Sequence, residues 1–357
     1  MTIQTFDEMI HAERGKLLRE LPKDAQVFCS AGCSGRWYFD WIEQEYGPVA
    51  LHYGVELFSP RPDDLPPNVR WISNSVADMT DVPGASVDIL FSGQNIEHLY
   101  REDLHGFLKE ANRVVKPGGH ICLDSPNRTI SQDASYTQPQ HTLEFSVPEA
   151  VELVEAAGFA VEKVSGIWSC ANGLKRFDDV TALVGDIEQR RAQALHRPGE
   201  SFIWWIVARR IDDPRPDLPE IVDRILLRSF PSFVAARFRN AGRRLHSIEG
   251  TDAVLHIGSE EHGYVMYGPY IPLRGGEWQA IFDIKFLSPA GSVTFDVVSA
   301  AGGSVHAELP VSPSAIGSWQ SIVLPFDLGD YTEGVETRMI THGADAEIRF
   351  GVGIRRR

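Results

Sequence analysis

Cys29-Ser-Ala-Gly-Cys-Ser-Gly35 and, one helical period later, Tyr53-Gly-Val-Glu-Leu57 are the two stretches on which the fold turns. The first follows a short apolar run, Gln26–Ser30, and opens a helical pattern, Arg36–Tyr46, that stops at Gly47-Pro48. A loop of small residues between strand and helix lets the backbone approach a ligand closely, although tight turns also use small residues for packing alone. The second stretch ends the apolar run Val49–Leu57. It places Glu56 about twenty positions past the loop, where a carboxylate can accept hydrogen bonds from ribose hydroxyls.

Outward from this pair, apolar runs alternate with helical periods as far as residue 211. Val69–Ser73, Val87–Ser92, His120–Ser125, Ala160–Trp168 and Phe202–Arg209 read as further strands. Thr5 and Glu8 form a capping-box pair ahead of Phe6, Met9, Ile10, Leu17, Leu18 and Leu21 at helical spacing. A third helix, Arg101–Val115, stops before Lys116-Pro-Gly-Gly119, and a fourth, Val147–Ala157, follows a Ser146/Glu149 capping box. Such alternation predicts an α/β domain over residues 1–211, a mostly parallel sheet with helices on both faces.

Two nucleotide-using chemistries fit a small-residue loop followed by an acidic residue: a dinucleotide dehydrogenase and an S-adenosylmethionine-dependent methyltransferase. The dehydrogenase pattern G-x-G-x-x-G is absent, and so is a P-loop. A sulfonium cofactor carries no pyrophosphate and needs no helix N-terminus aimed at an anion. Several further segments follow in order: Ser86-Val-Asp-Ile-Leu-Phe91, Asn95-Ile-Glu-His-Leu99, Arg113-Val-Val-Lys-Pro-Gly-Gly119 and Ala156-Ala-Gly-Phe159. With the loop and Glu56, this set resembles class I S-adenosylmethionine-dependent methyltransferases over residues 25–210. The resemblance implies a Rossmann-like seven-stranded sheet whose last strand is antiparallel, and S-adenosyl-L-methionine as cofactor. It implies that Ser30, Ala31, Gly32 and Gly35 line the methionine end, that Glu56 binds the ribose, that Asn74 and Ser75 flank the adenine, and that Ser92 and Gln94 close over the cofactor from the fourth strand. The chain departs from the family loop, acidic-x-Gly-x-Gly-x-Gly, in carrying Cys29, Ala31 and Cys33 before Gly35, and it has Ser75 where an aspartate is common.

Methyl transfer to a hydroxyl needs positioning and a proton acceptor. His98, after the fourth strand, Asp124, after the fifth, and His141, in the polar stretch Gln138–Glu144, are the candidates, with His141 preferred because an imidazole titrates near neutral pH. Asn127, Arg128 and Glu144 are candidate acceptor-binding residues. Each also has a structural reading, as a packed histidine or a turn residue. No carboxylate cluster calls for a metal.

Asp212-Asp-Pro-Arg-Pro-Asp-Leu-Pro219 has the composition of a connector, and residues 212–245 read as a proline-containing, arginine-rich helical linker. Its arginines either face solvent or dock on an anionic membrane surface. Beyond it, Trp278–Phe286, Ser292–Val298 and Ala346–Ile354 alternate with period two, predicting a jelly-roll-like β-sandwich over 246–357. Tyr267-Gly-Pro-Tyr270 and the segment after it resemble modules attached to bacterial glycan-building enzymes. That resemblance implies a saccharide or glycan-precursor substrate, with Tyr264, Tyr267 and Tyr270 as surface candidates and Trp278 and Phe282 in the core; a dimerising sandwich is the other reading.

The chain has 357 residues with a net charge of −15, which disfavours a general nucleic-acid binder. Four cysteines without ligand spacing and an N-terminus without an apolar core predict a cytoplasmic protein, with the cationic linker leaving the inner face of a membrane open. The leading expectation is an O-methyltransferase acting on a sugar hydroxyl. A small-molecule or lipid methyltransferase with an oligomerising sandwich, and a non-catalytic glycan-binding adaptor, stand beside it.

Overall fold

The computed structural model describes residues 5–99, 101–131, 141, 143–171, 187–225, 245–248, 252–273, 275–349 and 352–357. The chain divides into two compact units, residues 1–136 with 143–227, and residues 137–142 with 228–357.

In the first unit the elements are α1 (Phe6–Leu18), β1 (Val27–Ala31), α2 (Arg36–Glu45), β2 (Leu51–Glu56), β3 (Val69–Ser73), β4 (Val87–Gly93), α3 (Arg101–Val114), β5 (Val115–Pro126), α4 (Arg128–Ser131), α5 (Val147–Ala156), β6 (Phe159–Ser169), α6 (Ile187–His196) and β7 (Ser201–Arg210). The strands form one seven-stranded sheet in the order β3-β2-β1-β4-β5-β7-β6. Neighbours from β3 to β5 are parallel, whereas β7 runs antiparallel to both β5 and β6. Both capping boxes form: Glu8 N donates to Thr5 Oγ1 at 3.2 Å, and Ser146 N to Glu149 Oε2 at 2.9 Å. The apolar stripe of α1 (Met9, Leu17, Leu18) joins Phe28, Phe39, Ile42, Phe91, Trp168 and Trp205 in one buried cluster. Leu104, Phe107, Leu108 and Ala111 of α3 are buried at the i, i+3, i+4, i+7 spacing of a core-facing helix. One boundary moves: β5 begins at Val115 rather than at His120. The glycine-rich turn bulges out between the pairs Val87–Val115 and Ile89–His120 instead of preceding the strand.

Between β1 and β2, His52 Nε2 and the Ser30 hydroxyl share a buried hydrogen bond of 2.8 Å, with the Phe28 and Phe39 rings against the imidazole. Burial pushes His52 down to about 3. An unfolded histidine takes a proton near pH 6.5, so between that pH and about 3 the unfolded chain binds more protons and stability falls as the pH drops. Going from pH 7 to pH 5 is expected to cost about 2 kcal/mol through this residue. Urea midpoints at the two pH values should show a smaller drop in His52→Gln than in the parent; equal drops would clear His52 of the effect.

Residues 212–225 do not leave the first unit, although the sequence reads as a linker from residue 212. Asp212 N donates to Gly158 O, Asn112 Nδ2 donates to Asp212 O at 2.8 Å, and Arg215 N donates to Ala156 O at 2.8 Å. Leu218, Ile221, Val222 and Ile225 are buried in the helical turn that follows. The arginine-rich part of the connector, 226–244, lies outside the described residues. No described helix is long and apolar enough to cross a membrane.

The second unit consists of antiparallel strands: β8 (Leu245–Ile248), β9 (Asp252–Ile257), β10 (His262–Leu273), β11 (Gly276–Phe286), β12 (Ser292–Ser299), β13 (Ser304–Val311), β14 (Gln320–Leu328), β15 (Thr332–His342), β16 (Ala346–Arg349) and β17 (Gly353–Arg356). One sheet has the order β10-β15-β12-β13; the other is β14-β11-β16-β9-β8, with β17 also paired to β11. Trp278, Ala280, Phe282, Ile284 and Phe286, every second residue of β11, are buried, as period-two patterning requires. Phe282 meets Phe295 of the other sheet with ring centroids 4.6 Å apart, which makes the two sheets a sandwich. Trp278 and Phe282 are thus core residues, and the run 346–354 divides into two strands.

Candidate cofactor and acceptor site

From β1 the chain passes to β2 on one side, while β4 lies on the other, so the C-terminal ends of β1 and β4 flank a topological switch point. Open α/β sheets bind their ligands in the crevice at such a point. Six of the sequence candidates stand on its rim: Ala31, Gly32, Glu56, Ser92, Gln94 and Asp124.

The loop after β1 turns with Gly32 at φ +83° and Gly35 at φ +108°. Gly32 N donates to Val55 O at 2.9 Å, and a Cβ on Gly32 would press 2.6 Å from Asn95 Oδ1. Ala31 and Cys33, which replace family glycines, are fully buried and outside the positive-φ region, so at both positions a side chain is tolerated. Burial pushes Cys29 up to about 12 and Cys33 higher still, which keeps both as inert thiols. The Ser30 hydroxyl is spent on His52.

Glu56 ends β2 with its side chain largely buried. Its Oε1 accepts the N–H groups of Phe58 and Ser59 at 2.8 and 2.9 Å, which folds the next turn around it. Oε2 takes no hydrogen bond among the described residues and is the atom available to a diol. Asn74 and Ser75 form the turn after β3: Asn74 Oδ1 accepts from Ser75 N at 2.8 Å, and Ser75 Oγ from Ala77 N at 3.0 Å. Ser92 Oγ accepts from Asn95 Nδ2 at 2.9 Å, which holds Asn95 across the loop.

Asp124, fully buried, has both oxygens engaged. Gln94 Nε2 donates to Oδ1 at 2.6 Å, and Arg14 Nε to Oδ2 at 2.9 Å. Arg14 is a residue the sequence reading missed. Its signal was there: it shares the apolar face of α1 with Ile10, Leu17 and Leu18, where an unpaired charge would be costly. His98 stands half-buried in the single 3-10 turn Ile96–His98 after β4.

Three of the remaining candidates, Asn127, Arg128 and Glu144, are committed to structural hydrogen bonds. Asn127 Nδ2 donates to the carbonyls of Pro198, Gly199 and Ser201 at 3.3, 3.2 and 3.1 Å, clamping the end of β5 to the start of β7. Arg128 Nη2 reaches both oxygens of Glu149 at 2.6 Å, securing the N-terminus of α5. Glu144 is buried and accepts from the Ser131 hydroxyl. His141 falls in the second unit.

The chemistry of the rim suits an adenosyl cofactor: a glycine cradle that a Cβ would fill, and a carboxylate oxygen open to a ribose. Residues 30–123 match the profile of a family described as a methyltransferase domain. Over 99 residues the chain is 40% identical to a "Probable S-adenosylmethionine-dependent methyltransferase" of Mycolicibacterium smegmatis, covering 27% of this chain and 37% of the relative. A Mycobacterium tuberculosis protein of the same description is 32% identical over 104 residues, covering 29% and 37%. The chain therefore spans little more than a third of the length of these curated relatives. Among solved structures, a SAM dependent methyltransferase from Archaeoglobus fulgidus is 19% identical with a TM-score of 0.42, over 57% of this chain and 94% of that one. The Burkholderia thailandensis 1,6-didemethyltoxoflavin-N1-methyltransferase, solved with S-adenosylhomocysteine, is 15% identical with a TM-score of 0.40, over 58% and 80%. Residues 30–123 thus match a methyltransferase domain, and they lie on a seven-stranded Rossmann-like sheet.

Proposed function

We propose that this protein is an O-methyltransferase acting on a sugar hydroxyl of a surface polysaccharide or its precursor. The observation that carries the methyl-transfer part is the switch-point rim, where the Gly32 cradle, Glu56 Oε2 and the Asp124 carboxylate converge from β1, β2 and β5. Bound S-adenosyl-L-methionine supplies an electrophilic methyl group. Glu56 holds the ribose, and Gly32 admits the backbone close to the ligand. Asp124, saturated by Arg14 and Gln94, acts as a fixed charge that positions its neighbours rather than as a proton acceptor. His98 takes the acceptor proton, with His141 the other imidazole to test.

The saccharide acceptor is supported by the second unit. Tyr264 is 48% exposed and pairs edge-on with Tyr267 at 6.1 Å, and Arg338 lies over Tyr264 at 5.3 Å. An exposed tyrosine beside a half-buried one and a guanidinium suits a sugar ring, which has an apolar face and a polar edge.

Calorimetric titration with S-adenosylhomocysteine tests the reading. The parent protein is expected to bind, and Glu56→Ala to bind about 10- to 100-fold more weakly, the worth of a charge-assisted hydrogen bond or two. No binding by the parent would overturn the enzyme reading in favour of an adaptor. Turnover of a saccharide acceptor is expected to fall about 100- to 10,000-fold when the base is replaced, as in His98→Ala, with cofactor affinity unchanged. Near-normal turnover of His98→Ala would pass the role to His141, for which His141→Ala is the matching test.

A further inference from the structure

Met266, Met339 and Phe295 stand level on β10, β15 and β12 with their side chains buried, and Phe295 meets the other sheet. Alternation turns the next row, Tyr267, Arg338 and Asp296, to the outer face of the four-stranded sheet. A bulge in β10 brings a second tyrosine to that face. Val265 and Met266 are both buried, so Tyr264 and Tyr267, three apart in sequence, come out on the same side with their rings in contact.

An outer face needs no buried charge, yet Asp296 is 1% and Glu336 6% exposed. Arg338 donates to the Asp296 carboxylate from Nε at 2.9 Å and from Nη2 at 2.6 Å. Two positions along β15, Glu336 Oε1 accepts from the Tyr270 hydroxyl at 3.2 Å. Arg338 Nη1 and Glu336 Oε2 take no hydrogen bond among the described residues. Around the cluster, three non-glycine residues hold left-handed backbone: Tyr270 at φ 62°, Ala300 at φ 52° and Ala301 at φ 53°. The turn with the two alanines folds over the face, because a Cβ on Gly302 would lie 2.8 Å from Arg338 Nη1. Such strain persists only where the surroundings impose it, and it gathers at ligand sites.

The balance of charge decides what can enter. The single guanidinium of the cluster is already matched by Asp296, and Glu308 of β13 stands level with Asp296 in the same row. Burial pushes the Glu336 carboxyl up, against the Tyr270 hydrogen bond and the Arg338 charge. Protonated or ionised, Glu336 leaves these four side chains with a net negative charge. A carboxylate arriving here meets like charge, whereas a hydroxyl both donates to a carboxylate and accepts from a guanidinium. We infer that this face binds an uncharged sugar and rejects acidic ones such as uronates, with the ring on Tyr264 and its hydroxyls between Arg338 Nη1 and Glu336 Oε2. The inference rests on the saccharide reading given above and narrows it to one class of sugar.

The experiment is calorimetry on the full chain with gluco-, galacto- and manno-oligosaccharides, each against the uronate oligomer of the same linkage. At least one neutral member is expected to bind about 10-fold or more tightly than its uronate. Tyr264→Ala is expected to weaken the neutral sugar about 10-fold. Glu336→Gln keeps the shape but not the charge and is expected to bring the uronate to within about 3-fold of the neutral sugar. Thermal melting checks that both variants fold. A parent that binds uronates as tightly as neutral sugars would overturn the inference and leave the saccharide reading standing. Neutral-sugar binding unchanged in both folded variants would also overturn it, by placing the sugar on another face. Binding of no sugar at all would remove the saccharide reading itself, while S-adenosylhomocysteine titration of the first unit would be unaffected.

Discussion

Asp124→Ala is expected to lower the unfolding free energy by about 3–5 kcal/mol, the cost of removing one partner from a buried ion pair. Arg14 and Asp124 are 3% and 0% exposed, and the Nε to Oδ2 distance is 2.9 Å. Deleting the carboxylate leaves a guanidinium among Trp41, Phe91 and Tyr38 without its ion-pair partner, with Glu97 as the remaining negative charge acting on it, and strips Gln94 of its acceptor. Asp124→Asn keeps an acceptor oxygen but not the charge and is expected to fall between the parent and Asp124→Ala. Urea unfolding followed by tryptophan fluorescence reads both. A midpoint for Asp124→Ala equal to the parent would mean that water reaches Arg14 and screens it.

A loss of similar size, about 3–5 kcal/mol, is expected from Phe282→Ala in the second unit, because the removed ring leaves a cavity that strand backbones cannot close. Phe282 is fully buried, its flanking inward neighbours Ala280 and Ile284 are too, and it meets Phe295 across the sandwich at 4.6 Å. Phe282→Leu should recover part of the loss by refilling volume. Thermal melting checks the series, and an unshifted Phe282→Ala melt would show that the two sheets do not share this layer.

Much of this fold was legible because period and punctuation agree. Seven apolar runs became the seven strands, and both capping boxes formed where Thr5–Glu8 and Ser146–Glu149 stand. Long-range contacts were not legible. Nothing local says that Asn127 will gather three carbonyls from residues 198–201, or that Arg128 will pair with Glu149 rather than with a ligand. The rim of the site was readable because each of its residues lies at or just past the C-terminal end of a strand, and that end is set by topology. Arg14 was not read because it lies on a helix, far from every strand end in sequence, although a charge on an apolar stripe is itself a signal. Likewise the prolines of 212–219 suggested a linker, but the Asp212 carbonyl accepts from Asn112 and the segment packs home.

That homeward packing has a practical side. A truncation at residue 211, natural or engineered, would strip the Asn112 amide of its Asp212 acceptor and remove the buried Leu218, Ile221, Val222 and Ile225. The first unit therefore ends not where its sheet ends but some fifteen residues later, near residue 227. A protease nicking near Pro214 would expose apolar surface and invite aggregation, whereas one cutting past residue 227 would leave these four buried side chains in place.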